Sequence, residues 1–211
     1  ELQVLSSKDY IYLRTFADEH LPRRGRISAL ALATDEEIFL VKLNDGQLTD
    51  GLKEILQSTP VVGHDLKDSL VLVKMQGIEF EEIMFDTMVA AYLLDPSRSD
   101  YSLGYLMDLY FHSHGMEEET LLGKGKKKKS YDDVDLDELG EFIANEIYYV
   151  SKLWTKQRSQ LEELEMEKLY RDIELPLISV LADMEYVGMA VDRKIHPVFI
   201  HQHVVIVFIA L

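Results

Sequence analysis

Two clusters of side chains in this sequence have the types and spacing for chemistry. The segment Lys124 to Lys129 holds five lysines in six residues. Such a loop can hold nucleic-acid phosphates, with Lys124, Lys126 and Lys127 as the candidates. The bland alternative is a solvated loop, and the sequence favours it. Asp132, Asp133, Asp135, Asp137 and Glu138 follow directly and neutralise the lysines. The second cluster is His196, His201 and His203 near the carboxyl end. Imidazoles ligate metals, but no Cys or acid partner stands beside them, so no metal is assigned here.

The elements that must position such groups follow from the hydrophobic pattern. Tyr10 to Phe16, Ile27 to Ala33 and Ile38 to Leu43 read as three strands, the second with burial on both sides. Thr49 to Gln57 is a short helix with Leu52, Ile55 and Leu56 inward. The stretch from Val61 to Pro96 then reads strand, helix, strand, helix. Val61 to Gly63 is a short buried strand. Asp65 is placed to cap a helix whose stripe is Leu66, Leu70 and Val73, and Gly77 ends it in the left-handed conformation. Ile83 to Phe85 is the next strand, and Asp86 or Thr87 caps the helix Met88 to Leu94. Two consecutive strand–helix units imply parallel pairing in an α/β layer fold. Ser102 to Phe111 and Glu117 to Leu122 are further helices. Asp135 or Asp137 starts a long one, with apolar residues at 136, 139, 143, 147, 150, 154, 161 and 164. Glu165 to Val187 is amphipathic, and Pro176 should kink it.

The same residues carry a resemblance. VVGHDLKDSLVLVKMQGIEF, then IMFDTMVAAYLLDP, resembles the middle of the 3′–5′ exonuclease domain of bacterial family A DNA polymerases, which shows G-x-N-x-K-Y-D-R, G-I, F-D-T-M and A-Y-L-L. Gly123-Lys124-Gly125-Lys126 is similar to that family's G-K-G-K loop. Ile173 to Asp192 resembles the first helix of the polymerase domain proper. The resemblance covers roughly Tyr10 to Asp192, and three motifs in the right order make it specific. It implies an RNase H-like, mixed five-stranded sheet flanked by helices, in agreement with the order β-β-β-α-β-α-β-α. It also implies three segments: an exonuclease-like domain over 1–164, a polymerase helix over 165–192, and an atypical apolar tail over 193–211.

Exonucleases of that family are implied to use two divalent cations, which activate water and stabilise the leaving 3′ oxygen. Hard cations need converging oxygen ligands. The family supplies them from D-x-E on the first strand, the Asp of N-x-x-x-D, and the Asp of Y-x-x-x-D. On this sequence Arg14 and Phe16 stand where D-x-E belongs. Residues i and i+2 share one strand face, so a cation and a ring replace two carboxylates. Asp18-Glu19 lacks the spacing, and Asp35/Glu37 lies in a hairpin turn. With Gly63 and Gly77 fixing the register, Asp65 takes the Asn position and Ser69 the Asp position. Asp68 is one residue off, about 100° around the helix. With Gly140 as anchor, Phe142 replaces the Tyr and Glu146 the Asp. One of four metal carboxylates is left, and Arg14 would repel cations. Arg14 is expected to pair with Glu146 or Asp65.

The resemblance therefore implies a vestigial exonuclease domain that supports a polymerase domain in the same parent chain. No metal and no cofactor is expected. The alternatives are an active exonuclease using Asp65, Asp68 and Glu146 with Mg²⁺ or Mn²⁺, and a non-catalytic module holding single-stranded 3′ ends. A chain starting at Glu1 is expected to be part of a longer protein. The formal net charge of −16 opposes tight binding to DNA, so DNA is expected to be reached through the parent enzyme. There are no cysteines, which fits a reducing compartment, and no signal-peptide pattern; a cytoplasmic location is expected. Val204 to Leu211 is wholly apolar yet too short to span a membrane. It is expected to be extended rather than helical.

Overall fold

The computed structural model describes residues 2–18, 22–43, 45–116, 118–125 and 128–188. His196, His201, His203 and the expected extended tail lie outside them, as do Lys126 and Lys127.

Five strands form one sheet in the order β3-β2-β1-β4-β5. β1 (Ile11–Ala17), β2 (Ile27–Ala33) and β3 (Ile38–Lys42) make an antiparallel meander. β4 (Val61–Gly63) and β5 (Ile83–Asp86) add on the other side in parallel. Every residue of β2 is buried, including Ser28, the one polar residue in an otherwise apolar run. β1 therefore lies at the centre, paired antiparallel with β2 on one side and parallel with β4 on the other. This is the mixed α/β, RNase H-like architecture.

The helices are α1 (Asp50–Ser58), α2 (Leu66–Lys74), α3 (Thr87–Leu94), α4 (Leu103–Phe111), α5 (Glu118–Leu122), α6 (Leu136–Glu163), α7 (Glu167–Leu169) and α8 (Leu175–Val187). α2 packs against β1 and α8, and α3 against α6. Gly63 lets α2 start close to the sheet, since a Cβ there would stand 2.6 Å from Leu66 Cδ2 and 3.0 Å from the Leu13 carbonyl. Lys67 reaches Glu185 at 2.6 Å, and Lys74 reaches Asp183 at 2.7 Å, so two ion pairs join α2 to α8.

Three expectations need correction. Asp65 does not cap α2: it has left-handed backbone (φ 53°) and its side chain makes no capping bond. The cap comes from Asp86, whose carboxylate accepts the N–H groups of Leu66 (2.7 Å) and Asp65 (3.3 Å). It also accepts those of Met88 (2.8 Å) and Val89 (3.1 Å). One buried carboxylate thus serves the starts of both α2 and α3, because β4 and β5 are parallel neighbours and both helices begin at the same sheet end. The buried stripe of α6 also differs. Leu136 and Leu164 are half exposed, whereas Phe142, Leu153 and Gln157 are buried. A 3.6-residue period over 28 residues drifts away from heptad spacing. Finally, the helix expected over Glu165–Val187 starts at Glu167, after a break at the end of α6, and its backbone is then helical without a gap to Val187. Its interruption takes the form of a π-helical turn (Tyr170–Glu174) just ahead of Pro176. A π-helical turn is one way a helix accommodates the N–H that a proline lacks.

Candidate functional site

Strand alternation decides what β1 presents. Arg14 and Phe16 point to one face, Thr15 to the other. Arg14 Nε lies 2.9 Å from Glu146 Oε2 on α6. The Arg14 side chain is 33% exposed and that of Glu146 13%, so the pair is only partly open to water. Its guanidinium also lies 5.0 Å from the centroid of Phe16. Burial works against the Arg14 charge, but Glu146, with Tyr131 and Glu118 beyond it, holds its pKa above the ordinary value. Phe16 is buried against Tyr131 (4.9 Å between centroids) and Phe142 (6.3 Å). Where the family resemblance implies two carboxylates, this strand has an ion-paired cation and a core aromatic.

On the opposite face Thr15 Oγ1 and Ser69 Oγ share a buried hydrogen bond of 2.7 Å. Ser69 is thus tied to β1 and has no charge to offer a metal. Asp65 and Asp68 stand at the start of α2 and line a cleft with Arg14, Ser69, Glu118 and Tyr131. Burial pushes the Asp65 pKa up to about 6, and Asp68 and Asp86 add to the rise. Asp68 is tied to Lys67 at 2.6 Å. Glu118 is held below the usual carboxylate range: burial raises its pKa, but Lys128 at 3.0 Å, Tyr131 and Arg14 outweigh it.

Several contributors were not legible. His64 Nδ1 lies 2.8 Å from Thr87 Oγ1, and burial, with Arg14 nearby, depresses its pKa to about 3, so the ring is neutral at pH 7. Tyr131, the one aromatic between the lysine run and the acid run, has its pKa raised by burial and by Glu118. That isolated aromatic was a usable signal; Glu118 and His64 gave none. Of the lysine loop, Lys124 pairs with Glu119 and Lys128 with Glu118, so α5 as well as the later acid run offsets the charge.

Two divalent cations need several free carboxylates around one point. Among the described residues no three His, Asp or Glu side chains are grouped to hold a metal ion. The residues that the resemblance puts at metal positions do not fit such ions: Arg14 brings a cation, Phe16 a buried ring, Ser69 a bonded hydroxyl, and Glu146 a carboxylate already paired.

Comparison with known proteins agrees with the fold and its origin. Residues 12–153 match the family model described as DNA polymerase I, ribonuclease H-like domain. DNA polymerase I of Lactococcus lactis subsp. cremoris is 31% identical over 190 residues, covering 90% of this chain and 20% of that protein. DNA polymerase I of Geobacillus stearothermophilus is 30% identical over 133 residues, covering 62% of this chain and 14% of that protein. The chain thus spans a fifth or less of the length of these relatives. Among solved structures, the POL domain of Pol1 from M. smegmatis, in complex with DNA primer-template and dNTP, superposes with a TM-score of 0.72 at 21% identity. It covers 93% of this chain and 32% of that one.

Proposed function

As this chain belongs to the DNA polymerase I, ribonuclease H-like domain family, we propose that its own nuclease site is silent and that it serves as a structural module of a DNA polymerase. The observation that carries this reading is the Arg14–Glu146 ion pair. A fixed guanidinium stands where the cations would bind and ties up the one carboxylate retained at its position. In this reading the exonuclease-like unit runs over 1–164, α8 belongs to the first polymerase helix (165–192), and 193–211 is a separate apolar tail. The parent enzyme is a bacterial, cytoplasmic replication or repair polymerase, and DNA is held through its polymerase domain. No helix among the described residues is long and apolar enough to cross a membrane.

Support for the partner comes from α8. Its inner side is pinned to α2, yet Leu177, Val180, Met184 and Val187 are 42–72% exposed. An apolar row of that kind is what further chain of the parent enzyme would cover.

The test is incubation of the chain with a 5′-labelled single strand in Mg²⁺ or Mn²⁺. The expected result is no shortening of the strand with either ion. Metal-dependent shortening, lost on replacing Asp65, Asp68 or Glu146, would establish the active alternative with a shifted carboxylate set. Tight, metal-independent capture of 3′ ends in the cleft would favour an end-holding module instead.

A further inference from the structure

Away from the cleft, α6 carries a stretch unlike the rest of this acidic chain. Between Glu146 and Glu162 it has no Asp or Glu, but it holds Lys152, Lys156 and Arg158. Two residues past Glu146 the helix has turned by about 200°. Tyr148 therefore faces away from the Arg14 pair, and Lys152 and Lys156 follow it along the same outer side at intervals of four.

Four rings join into a strip here. The centroids of Tyr110 and Phe111 are 6.3 Å apart, those of Phe111 and Tyr149 5.6 Å, and those of Tyr149 and Tyr148 5.1 Å. The lysine ammonium groups lie beside them. Lys156 Nζ is 5.1 Å from the Tyr110 centroid and 5.8 Å from that of Phe111; Lys152 Nζ is 5.4 Å from that of Tyr148. Of the nearby acids, Asp95 pairs with Arg98 at 3.0 Å, and Asp108 lies 3.5 Å from His114, which offsets its charge only when the imidazole is protonated. Packing of α4 on α6 accounts for the partly buried Tyr110, Phe111 and Tyr149. It does not account for Tyr148, which is 54% exposed, or for cations laid over the rings.

We propose that this α4–α6 strip is an auxiliary site for single-stranded nucleic acid, distinct from the cleft. Bases would stack on the exposed ring surface, chiefly that of Tyr148, and Lys152 and Lys156 would take the backbone phosphates. Base–aromatic stacking with adjacent cations is the chemistry by which single strands are held without sequence preference. An acidic protein surface would use the cations but has no use for a row of rings. The chain's net charge of −16 keeps the affinity low and confines it to this locally cationic face.

The experiment is a fluorescence-anisotropy titration of the whole chain with a labelled, mixed-sequence DNA single strand, in EDTA, at low and at physiological salt. Binding is expected at low salt, falling with log salt at a slope of about −1.4 for two phosphate contacts on a single strand. Lys152→Glu with Lys156→Glu should weaken it about tenfold or more, and Tyr148→Ala about fivefold. Lys53→Glu, a charge reversal on α1, should change it by less than about twofold. Circular dichroism checks that each variant is folded, and Lys152→Gln with Lys156→Gln is the milder substitute if the reversal unfolds it. Absence of binding at low salt, or binding unaffected by the Lys152 and Lys156 changes, overturns the proposal. So does loss of binding through Lys128→Glu alone, which would put the strand in the cleft.

Discussion

The Tyr170 hydroxyl holds both main-chain groups of Asp86: it accepts the Asp86 N–H at 2.8 Å and donates to the Asp86 carbonyl at 3.0 Å. It does so from the π-helical turn, 84 residues further along the chain. All three groups are buried, and Asp86 is the residue that caps α2 and α3. Tyr170→Phe keeps the ring against Phe85 (4.9 Å) and removes only the hydroxyl. Two main-chain groups then lack partners, so the variant should lose about 2 kcal/mol. Urea denaturation with an unchanged m value checks this; a loss within error would mean that water replaces the hydroxyl.

For Arg14 and Glu146, single and double replacements should not add. Arg14→Gln leaves a 13%-exposed carboxylate without its cation, and Glu146→Gln does the converse. Each should cost about 1–2 kcal/mol, below the range for fully buried pairs because water reaches Arg14. Arg14→Met with Glu146→Met should recover most of that loss, since an apolar pair avoids the desolvation cost. A double-mutant cycle by chemical denaturation reads the coupling directly. Additive losses would show that the pair contributes nothing as a pair.

Asp65 and His64 should give opposite pH signatures. The folded pKa of Asp65 is raised to about 6 from an ordinary value of 3.8, chiefly by burial. Its ionisation therefore destabilises the fold: the cost is absent below the ordinary pKa, builds between the two values and is complete above the folded one. Asp65→Asn, which also tolerates the left-handed backbone (φ 53°), should stabilise by about 1–2 kcal/mol at pH 7 and by little near pH 4.

The folded pKa of His64 is lowered to about 3, chiefly by burial, from 6.5. The unfolded chain then binds the extra proton, so stability is full above about pH 6.5 and falls toward pH 3, by on the order of 1.4 kcal/mol per unit. His64→Asn should flatten that acid limb. Stability curves of the two variants between pH 3 and 8 check both signs; parallel curves would refute them.

The strand positions and nearly every helix were legible, because strand runs such as Ile27 to Ala33 and helix stripes such as Leu52, Ile55 and Leu56 follow burial, and burial follows residue type. The pairing of Arg14 with Glu146, one of the two partners expected, was legible through the family resemblance, which sets the first strand and the long helix across one site. What escaped was the identity of the cap. Asp65 has the right type and position, but φ 53° turns its carboxylate away, and the bond falls to Asp86, 21 residues on. A capping rule counts along one chain segment, whereas this cap crosses between parallel strands. The partners of Ser69 and Lys67 escaped for the same reason. Thr15 and Glu185 are distant in sequence and met only through packing.

Phe16→Glu tests whether the cleft has lost more than ligands. At the corresponding place the family resemblance implies a metal-binding carboxylate, so the substitution restores one ligand type. The surroundings, however, have been rebuilt for a ring. Phe16 is 1% exposed, with Tyr131 and Phe142 against it. A carboxylate there would be desolvated beside two aromatics. Its nearest cation would be Arg14, two residues along the same strand face and already bonded to Glu146. The expected loss is about 3–5 kcal/mol, the range for an uncompensated buried charge. Mg²⁺ or Mn²⁺ should not return that stability while Arg14 and Ser69 remain, because a ligand stabilises only a fold that binds it. With Arg14→Asp and Ser69→Asp added, each of the four positions that the resemblance implies carries a carboxylate, and the melting temperature should rise with added metal. Thermal melts of the single and triple variants, with and without Mn²⁺, separate the cases. Metal-dependent stabilisation of Phe16→Glu alone would mean that the cleft still holds a cation site despite Arg14.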